Sequence, residues 1–305
     1  MRALVSTPNE REPAEIRDVE EPAPAPNEVV IEVKAASLNR GELSLLQRRP
    51  GWRPGQDIAG VVVRAAREGD GPAADSRVAA VVDQAGWAER AAAPVSRVGL
   101  LPDNVTFSQG ASLGVAGLTA LRVLRLGGSL FELRVLVTGA AGGVGSFAVQ
   151  LAHLAGAEVT AAVASRERGE KLLELGARRY MLEDEELSGV FDLVLEGVGG
   201  PSLQRSLHGL ARGGLVVLYG GVSGEPASVA LYDFAGAPGG RIQAFYIYES
   251  GTETFGRDLG YLAQLVAEER VRPMIGLEIS WQKLGAAMAA LRDRAVEGKV
   301  VLLID

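Results

Sequence analysis

The 305-residue chain has no cysteine and only two histidines, His153 and His208. Without thiols there is no disulfide framework and no thiolate chemistry. Two imidazoles far apart in sequence leave no nitrogen–sulfur ligand set, so no metal is expected. Aromatic residues make up only 5% of the chain, and its net charge is −7. No basic, aromatic-rich face is available to stack on bases, so nucleic acid is not an expected partner. No apolar run reaches membrane-spanning length, and the N-terminus lacks the apolar core of a signal peptide. No membrane partner is expected, and a cytoplasmic location is the default. What is present is 47% hydrophobic and 23% charged residues, the balance of a globular protein. The length suits two domains.

Glycine is abundant and placed with purpose. Arg134–Thr138 is a short apolar segment that ends at Gly139, which fits a buried parallel strand. From Val144 the apolar period changes: Val144, Ala148, Leu151, Ala152 and Ala155 fall on one helical face, and Gly156 closes the helix. Between strand and helix lies Ala140-Ala141-Gly142-Gly143-Val144-Gly145. Relative to G-x-G-x-x-G the first glycine is Ala140, while Gly142 and Gly145 remain. Gly142 and Gly143 permit close approach of a pyrophosphate, and Gly145 lets the helix pack on the strand. The helix N-terminus adds partial positive charge. The stretch predicts dinucleotide binding through Ala141, Gly142, Gly143, Val144 and Gly145.

Around this unit the pattern changes twice. Residues 1–100 read as short strands, at Ala3–Val5, Val29–Val33, Ile58–Val63, Val78–Val82 and Trp87–Ala93. The Pro/Ala run from Glu21 to Pro26 reads as an extended connector. An irregular β-barrel is expected there. A helix is expected from about Ser108 to Leu126, ended by Gly127-Gly128. Strand–helix alternation follows, with strands at 134–138, 158–163, 178–182, 191–196, 214–219 and 241–247. It predicts a doubly wound, six-stranded parallel sheet. After Tyr248 come two helices, Phe255–Glu269 and Trp281–Ala295, and a last strand, Lys299–Ile304. This tail is not needed for six parallel strands and is expected to rejoin the first domain.

A series of short segments, in order, carries a family likeness. They are Leu38-Asn39 with Glu42, Pro54 to Val62, Gly86 to Glu89, Ala116 to Ala120, Ala140 to Gly145, Glu196 to Gly200, Gly220 to Pro226 and Gly298 to Leu302. With these the chain resembles the zinc-free quinone oxidoreductase branch of the medium-chain dehydrogenase/reductase superfamily. The resemblance covers nearly the full length. It implies an α/β fold, a six-stranded Rossmann domain inserted in a GroES-like β-barrel domain. The expected division is 1–108 with 249–305 for the barrel and 109–248 for the Rossmann domain. It also implies hydride transfer from a nicotinamide in the cleft between them, and a homodimer joined through Arg241–Ile247. Zinc-dependent members place a cysteine near Asn39 and a histidine–glutamate pair near Gln56-Asp57, and this chain has none of those ligands.

Cofactor choice is read at the tip of the second parallel strand. An NAD site needs a carboxylate there. This chain has Ser165, Arg166 and Arg168, a hydroxyl and two guanidinium groups suited to phosphate, with Glu167 between them. NADPH is the expected cofactor. The resemblance adds that NADPH-using relatives have a serine and a lysine at the positions of Ser165 and Arg168. The other reading of these arginines is a solvated first helical turn.

Around the nicotinamide the resemblance points to Thr119 on the linking helix, and to Val198, Gly220 and Ser223 at strand ends. Tyr246 and Tyr248 either wall the ring or are sheet-edge aromatics. Asn39 bonds ribose or substrate, or is a turn residue before Arg40-Gly41. Glu42 orients a water or proton path, or is a surface charge. Trp52 is a pocket wall or a packing plug. Substrate is expected to enter from the side of Asn39, Glu42 and Trp87. The function expected is NADPH-dependent, zinc-independent reduction of quinones or α,β-unsaturated carbonyls. A dedicated biosynthetic enoyl reductase or non-redox enzyme, and an NADPH-binding structural or sensor protein, are the alternatives.

Overall fold

The structure is a computed structural model that describes residues 1–9 and 13–305. In chain order, the first part holds strands β1 (Arg2–Ser6), β2 (Ala14–Asp18) and β3 (Glu28–Leu38), and helix α1 (Arg40–Arg48). Strands β4 (Asp57–Arg64), β5 (Arg77–Val81), β6 (Arg90–Pro94) and β7 (Val98–Leu100) follow, then helix α2 (Phe107–Ser112). A π-helical turn, Leu113–Gly117, leads into α3 (Leu118–Arg125). Next come β8 (Arg134–Val137), α4 (Gly143–Leu154), β9 (Glu158–Val163), α5 (Arg166–Glu174), β10 (Arg179–Leu182) and β11 (Phe191–Glu196). Helix α6 (Pro201–His208), β12 (Leu210–Leu218) and β13 (Arg241–Ala244) complete that alternation. The tail holds α7 (Phe255–Ala267), β14 (Ile275–Ser280), α8 (Leu284–Arg292) and β15 (Lys299–Leu303).

Two compact units emerge, Met1–Leu118 with Gly251–Asp305, and Thr119–Ser250. The tail thus belongs with the first unit. The break falls after Leu118 and not after residue 108, because α2 and the π turn pack on β3, β4 and β5. In the first unit a seven-stranded sheet runs β14-β15-β3-β4-β5-β7, with β6 also on β3. Strand β3 makes this possible. Its first half pairs β6 (Glu28 to Glu32) and its second half pairs β15 (Ala35 to Leu38), with β4 along the other edge. A register shift between Val33 and Ala35 marks the change of partner. Such irregularities bend and twist a strand, as a closed or split sheet requires. This is the GroES-like barrel, and Trp87, Trp281, Ile31, Leu38 and Ile58 are fully buried in its core.

In the second unit six strands run β10-β9-β8-β11-β12-β13. All neighbours pair parallel. This is the Rossmann order, with its reversal between β8 and β11. Central positions such as Val135, Val159 and Val194 are wholly buried, as strands covered on both faces require.

Three elements differ from expectation. The helix expected from Ser108 to Leu126 is interrupted at Leu113–Gly117, where Gly114 leaves helical geometry (ψ −116°). The cause is a carboxylate from the barrel: Asp57 Oδ1 accepts the Val115 N–H at 2.8 Å. Any Cβ on Gly114 would collide with that same oxygen. Strand β13 ends at Ala244, so Tyr246 lies beyond it. Strand β14 lies between the two tail helices, where the sequence reading assigned no element. Among the described residues no helix is long and apolar enough to cross a membrane.

Candidate functional site

The second unit carries the nucleotide half of the expected site along the carboxyl edge of its sheet. After β8 the chain turns at Gly139, whose φ is +57°. Helix α4 then starts with Gly142 as its N-cap, and no side chain caps its first turn. Gly142 is exposed, Gly143 and Val144 are half-buried, and Ala141 and Gly145 are buried. A Cβ on Gly145 would come within 2.5 Å of the Gly139 carbonyl, so only glycine lets the helix sit this close to the turn. The result is a helix N-terminus open to an anion.

At the tip of β9, Ser165 is the N-cap of α5 and accepts from the Arg168 amide at 3.5 Å. An accepting hydroxyl keeps its own O–H as a donor. Arg166 is exposed and Arg168 half-buried. Glu167 is turned away, exposed and paired with Lys171 at 3.3 Å one turn on. The nearest acid therefore does not compete for the tip.

At the tip of β11 a residue that the sequence reading left out holds the turn. Glu196 is fully buried, and its Oε1 accepts the amides of Val198 (2.8 Å) and Gly199 (2.9 Å). Its Oε2 accepts the hydroxyls of Ser202 (3.0 Å) and Ser206 (2.9 Å). Four donors satisfy the buried carboxylate and fix Val198 and Gly199. Ser223 N–H donates to the Val198 carbonyl at 2.8 Å, which joins the ends of β11 and β12. Gly220 lies against Gly197. Thr119 is buried on α3, and Tyr246 is exposed with its ring 5.4 Å from Tyr248. These residues fit a nicotinamide dinucleotide: an uncapped helix N-terminus for the pyrophosphate, and hydroxyl and guanidinium groups at the tip of β9.

The first unit carries a second polar cluster. Asn39 opens α1 at the end of β3. Its Nδ2 donates to Asp57 Oδ2 at 2.8 Å, and its Oδ1 accepts from Lys299 Nζ at 2.7 Å. Lys299 also donates to the Leu38 carbonyl (2.9 Å) and lies 3.4 Å from Asp57 Oδ2. Ser37 Oγ donates to the same carboxylate oxygen at 2.8 Å. Asp57 and Lys299 are buried to 0% and 3% exposure, so this ion pair holds only because hydrogen bonds complete it. Asn39 is thus oriented from both ends of its amide. Asn39 is also the N-cap of α1, so a local role at the start of the helix stands beside this held amide.

Glu42 is fully buried, which removes the surface-charge reading. Its Oε2 accepts the Asn39 N–H at 2.8 Å, and its Oε1 has no hydrogen-bond partner. Burial, then the charge of Asp57, pushes its carboxyl up to about 8, with the Asn39 amide, Lys299 and the Gly55 amide acting more weakly the other way. Burial and the neighbouring Asp57 charge thus favour the neutral carboxyl at pH 7. Trp87 is wholly buried and offers no face to a substrate, contrary to expectation. Trp52 is 9% exposed and donates from Nε1 to Gln84, so it is a packing plug. His153 and His208 are exposed on helices, outside both clusters. Among the described residues no group of three or more His, Cys, Asp or Glu side chains is placed to hold a metal ion.

Comparison with known proteins adds the following. Residues 143–263 match the family model described as zinc-binding dehydrogenase. The chain is 30% identical to mouse quinone oxidoreductase, covering 94% of this chain and 92% of that protein. It is also 30% identical to the mouse synaptic vesicle membrane protein VAT-1 homolog, covering 92% of this chain and 78% of that one. Among solved structures, the quinone oxidoreductase of Thermus thermophilus, described also in complex with NADPH, is 31% identical. That likeness covers 100% of both chains with a TM-score of 0.85.

Proposed function

Because the chain belongs to the quinone oxidoreductase family, we propose that it is an NADPH-dependent, zinc-independent enzyme that reduces quinones or α,β-unsaturated carbonyls. NADPH, when bound, supplies a hydride to the electrophilic carbon of the substrate. The observation that carries the cofactor assignment is the tip of β9, where Ser165 caps α5 on the Arg168 amide, no carboxylate ends the strand, and Glu167 pairs with Lys171. A 2′-phosphate there meets an O–H donor and a guanidinium fork. The uncapped start of α4 receives the pyrophosphate. Glu196 holds the Val198-Gly199 turn rigid, and Gly220 and Ser223 place the ribose beside it.

In the barrel, Asp57 and Lys299 hold the Asn39 amide in one orientation, leaving its second Nδ2 hydrogen for a substrate or ribose oxygen. Glu42 is wholly buried, so the proton that its raised carboxyl retains reaches the enolate or quinol oxygen only through a relay of water or polar groups. Quinones and enones are already electrophilic, so positioning supplies much of the acceleration without a Lewis acid. A chain without cysteine and with two histidines has no nitrogen–sulfur zinc set to polarise a simple ketone. A cytoplasmic homodimer, paired through the edge strand β13, belongs to the same proposal. Every residue of that strand is exposed at the sheet margin.

The test is Asn39→Ala. Its turnover with a quinone should fall more than its NADPH affinity. A loss confined to NADPH affinity would remove Asn39 from the substrate side.

A further inference from the structure

The segment from Asn39 to Gln56 is charged against the trend of the molecule. The chain has a net charge of −7, yet this segment carries Arg40, Arg48, Arg49 and Arg53 against one acid, Glu42. That acid is buried and neutral below about pH 8. Among the described residues none of the four arginines meets a carboxylate within ion-pair distance. Arg48 and Arg49 are exposed, and Arg40 donates to the Leu291 carbonyl at 2.9 Å.

Arg53 stands apart from the others. It is half-buried, and its Nε is shut off from water with no acceptor. Its terminal nitrogens have no protein partner among the described residues either. Burial lowers its pKa from the ordinary arginine value. Arg77 also has an unpaired buried Nε, but its Nη2 donates to the Val105 carbonyl and its guanidinium lies 4.3 Å over the Phe107 ring. Arg53 has neither compensation. A partly desolvated cation with unmade hydrogen bonds is costly, and an anion would recover that cost.

The backbone that presents Arg53 is rigid. The carbonyls of Arg53, Pro54, Gly55 and Gln56 accept from the amides of Ala85, Trp87, Gly86 and Val82 at 2.8 to 3.1 Å. Register places this run beside Asn39, since Ser37 pairs with Asp57 across β3 and β4. The Arg53 backbone is therefore held two residues from Gly55, whose amide acts on the Glu42 carboxyl.

We infer that Arg53 sets substrate specificity by receiving a carboxylate or phosphate carried by the enone or quinone. Arg48 and Arg49 add a positive field that draws the anion in. The planar fork of arginine suits both groups. This inference rests on the reductase reading for its location.

The experiment uses two pairs, each with an anionic and an uncharged member. One pair is trans-4-oxo-2-pentenoic acid and its methyl ester. The other is crotonyl-coenzyme A and the crotonyl thioester of N-acetylcysteamine. With NADPH, kcat/KM should favour the anionic member of at least one pair by about tenfold, mostly through KM. A preference within the first pair that is lost in Arg53→Ala identifies a carboxylate, and one within the second pair that falls both with salt and in Arg53→Ala identifies a phosphate. The ratio should shrink with added salt, approach one in Arg53→Ala and recover in part in Arg53→Lys. Equal kcat/KM within both pairs, or a ratio unchanged by Arg53→Ala, would overturn the assignment. A calorimetric titration with 4-oxopentanoate and its methyl ester reads the same preference without turnover. If none of these four compounds is reduced, the reductase reading is decided by the quinone assay and this titration alone decides the anion site. Tighter binding of the acid, lost in Arg53→Ala, supports the anion site, and equal binding of acid and ester refutes it.

Discussion

Glu42 holds its proton up to about pH 8 in the folded chain, whereas an unfolded glutamate releases it near ~4.3. Between these limits the native state binds more protons than the unfolded one. The stability that Glu42 contributes is therefore fully present below about pH 4 and is lost as pH rises through about 8. Glu42→Gln is neutral at every pH and removes that loss. Relative to the wild type, its unfolding free energy by urea titration should improve steadily from about pH 5 to about pH 8. A difference that stays flat over this range would show that Glu42 ionises normally. At the cofactor end, Arg168→Ala should weaken NADPH and leave NADH nearly unchanged. Arg168 is half-buried, so the discounted value of a charged hydrogen bond applies, about fivefold in Kd. Equal losses for both cofactors by fluorescence titration would dismiss the phosphate role.

At the scale of elements, the π turn Leu113–Gly117 depends on a glycine facing a carboxylate. Gly114→Ala should drive a methyl group into Asp57 and destabilise the chain by ~1–3 kcal/mol, read as a lower Tm. A Tm equal to wild type would mean that the turn has room to adjust. The parallel strands were legible because each is a short apolar run between turn signals, as Arg134–Val137 and Gly139 show. The start of α4 was legible for the same local reason. The break in the linking helix was not, because its cause lies 58 residues away in Asp57. The Asp57–Lys299 pair spans 242 residues, and no local pattern announces that two charges will face each other in a barrel core. Strands β2 and β14 have few buried positions, so their alternation was weak. Glu196 stood in a recognised segment, but its role depends on Ser202 and Ser206 turning back from α6.

For the whole molecule, an exposed parallel edge strand calls for a cover. Ile242→Lys on β13 should convert a dimer to a monomer by light scattering at micromolar concentration, and a wild-type monomer would remove the pairing proposal. The central claim concerns chemistry that needs NADPH and no metal. Its most direct test is NADPH oxidation by the chelator-treated protein, with a quinone and an enone beside ethanol and simple ketones with either cofactor. The account predicts reduction of the quinone or enone with NADPH, little with NADH, no loss after chelation and poor alcohol–ketone exchange. Robust alcohol oxidation without quinone or enone reduction, or activity that vanishes with chelator and returns with zinc, would contradict it.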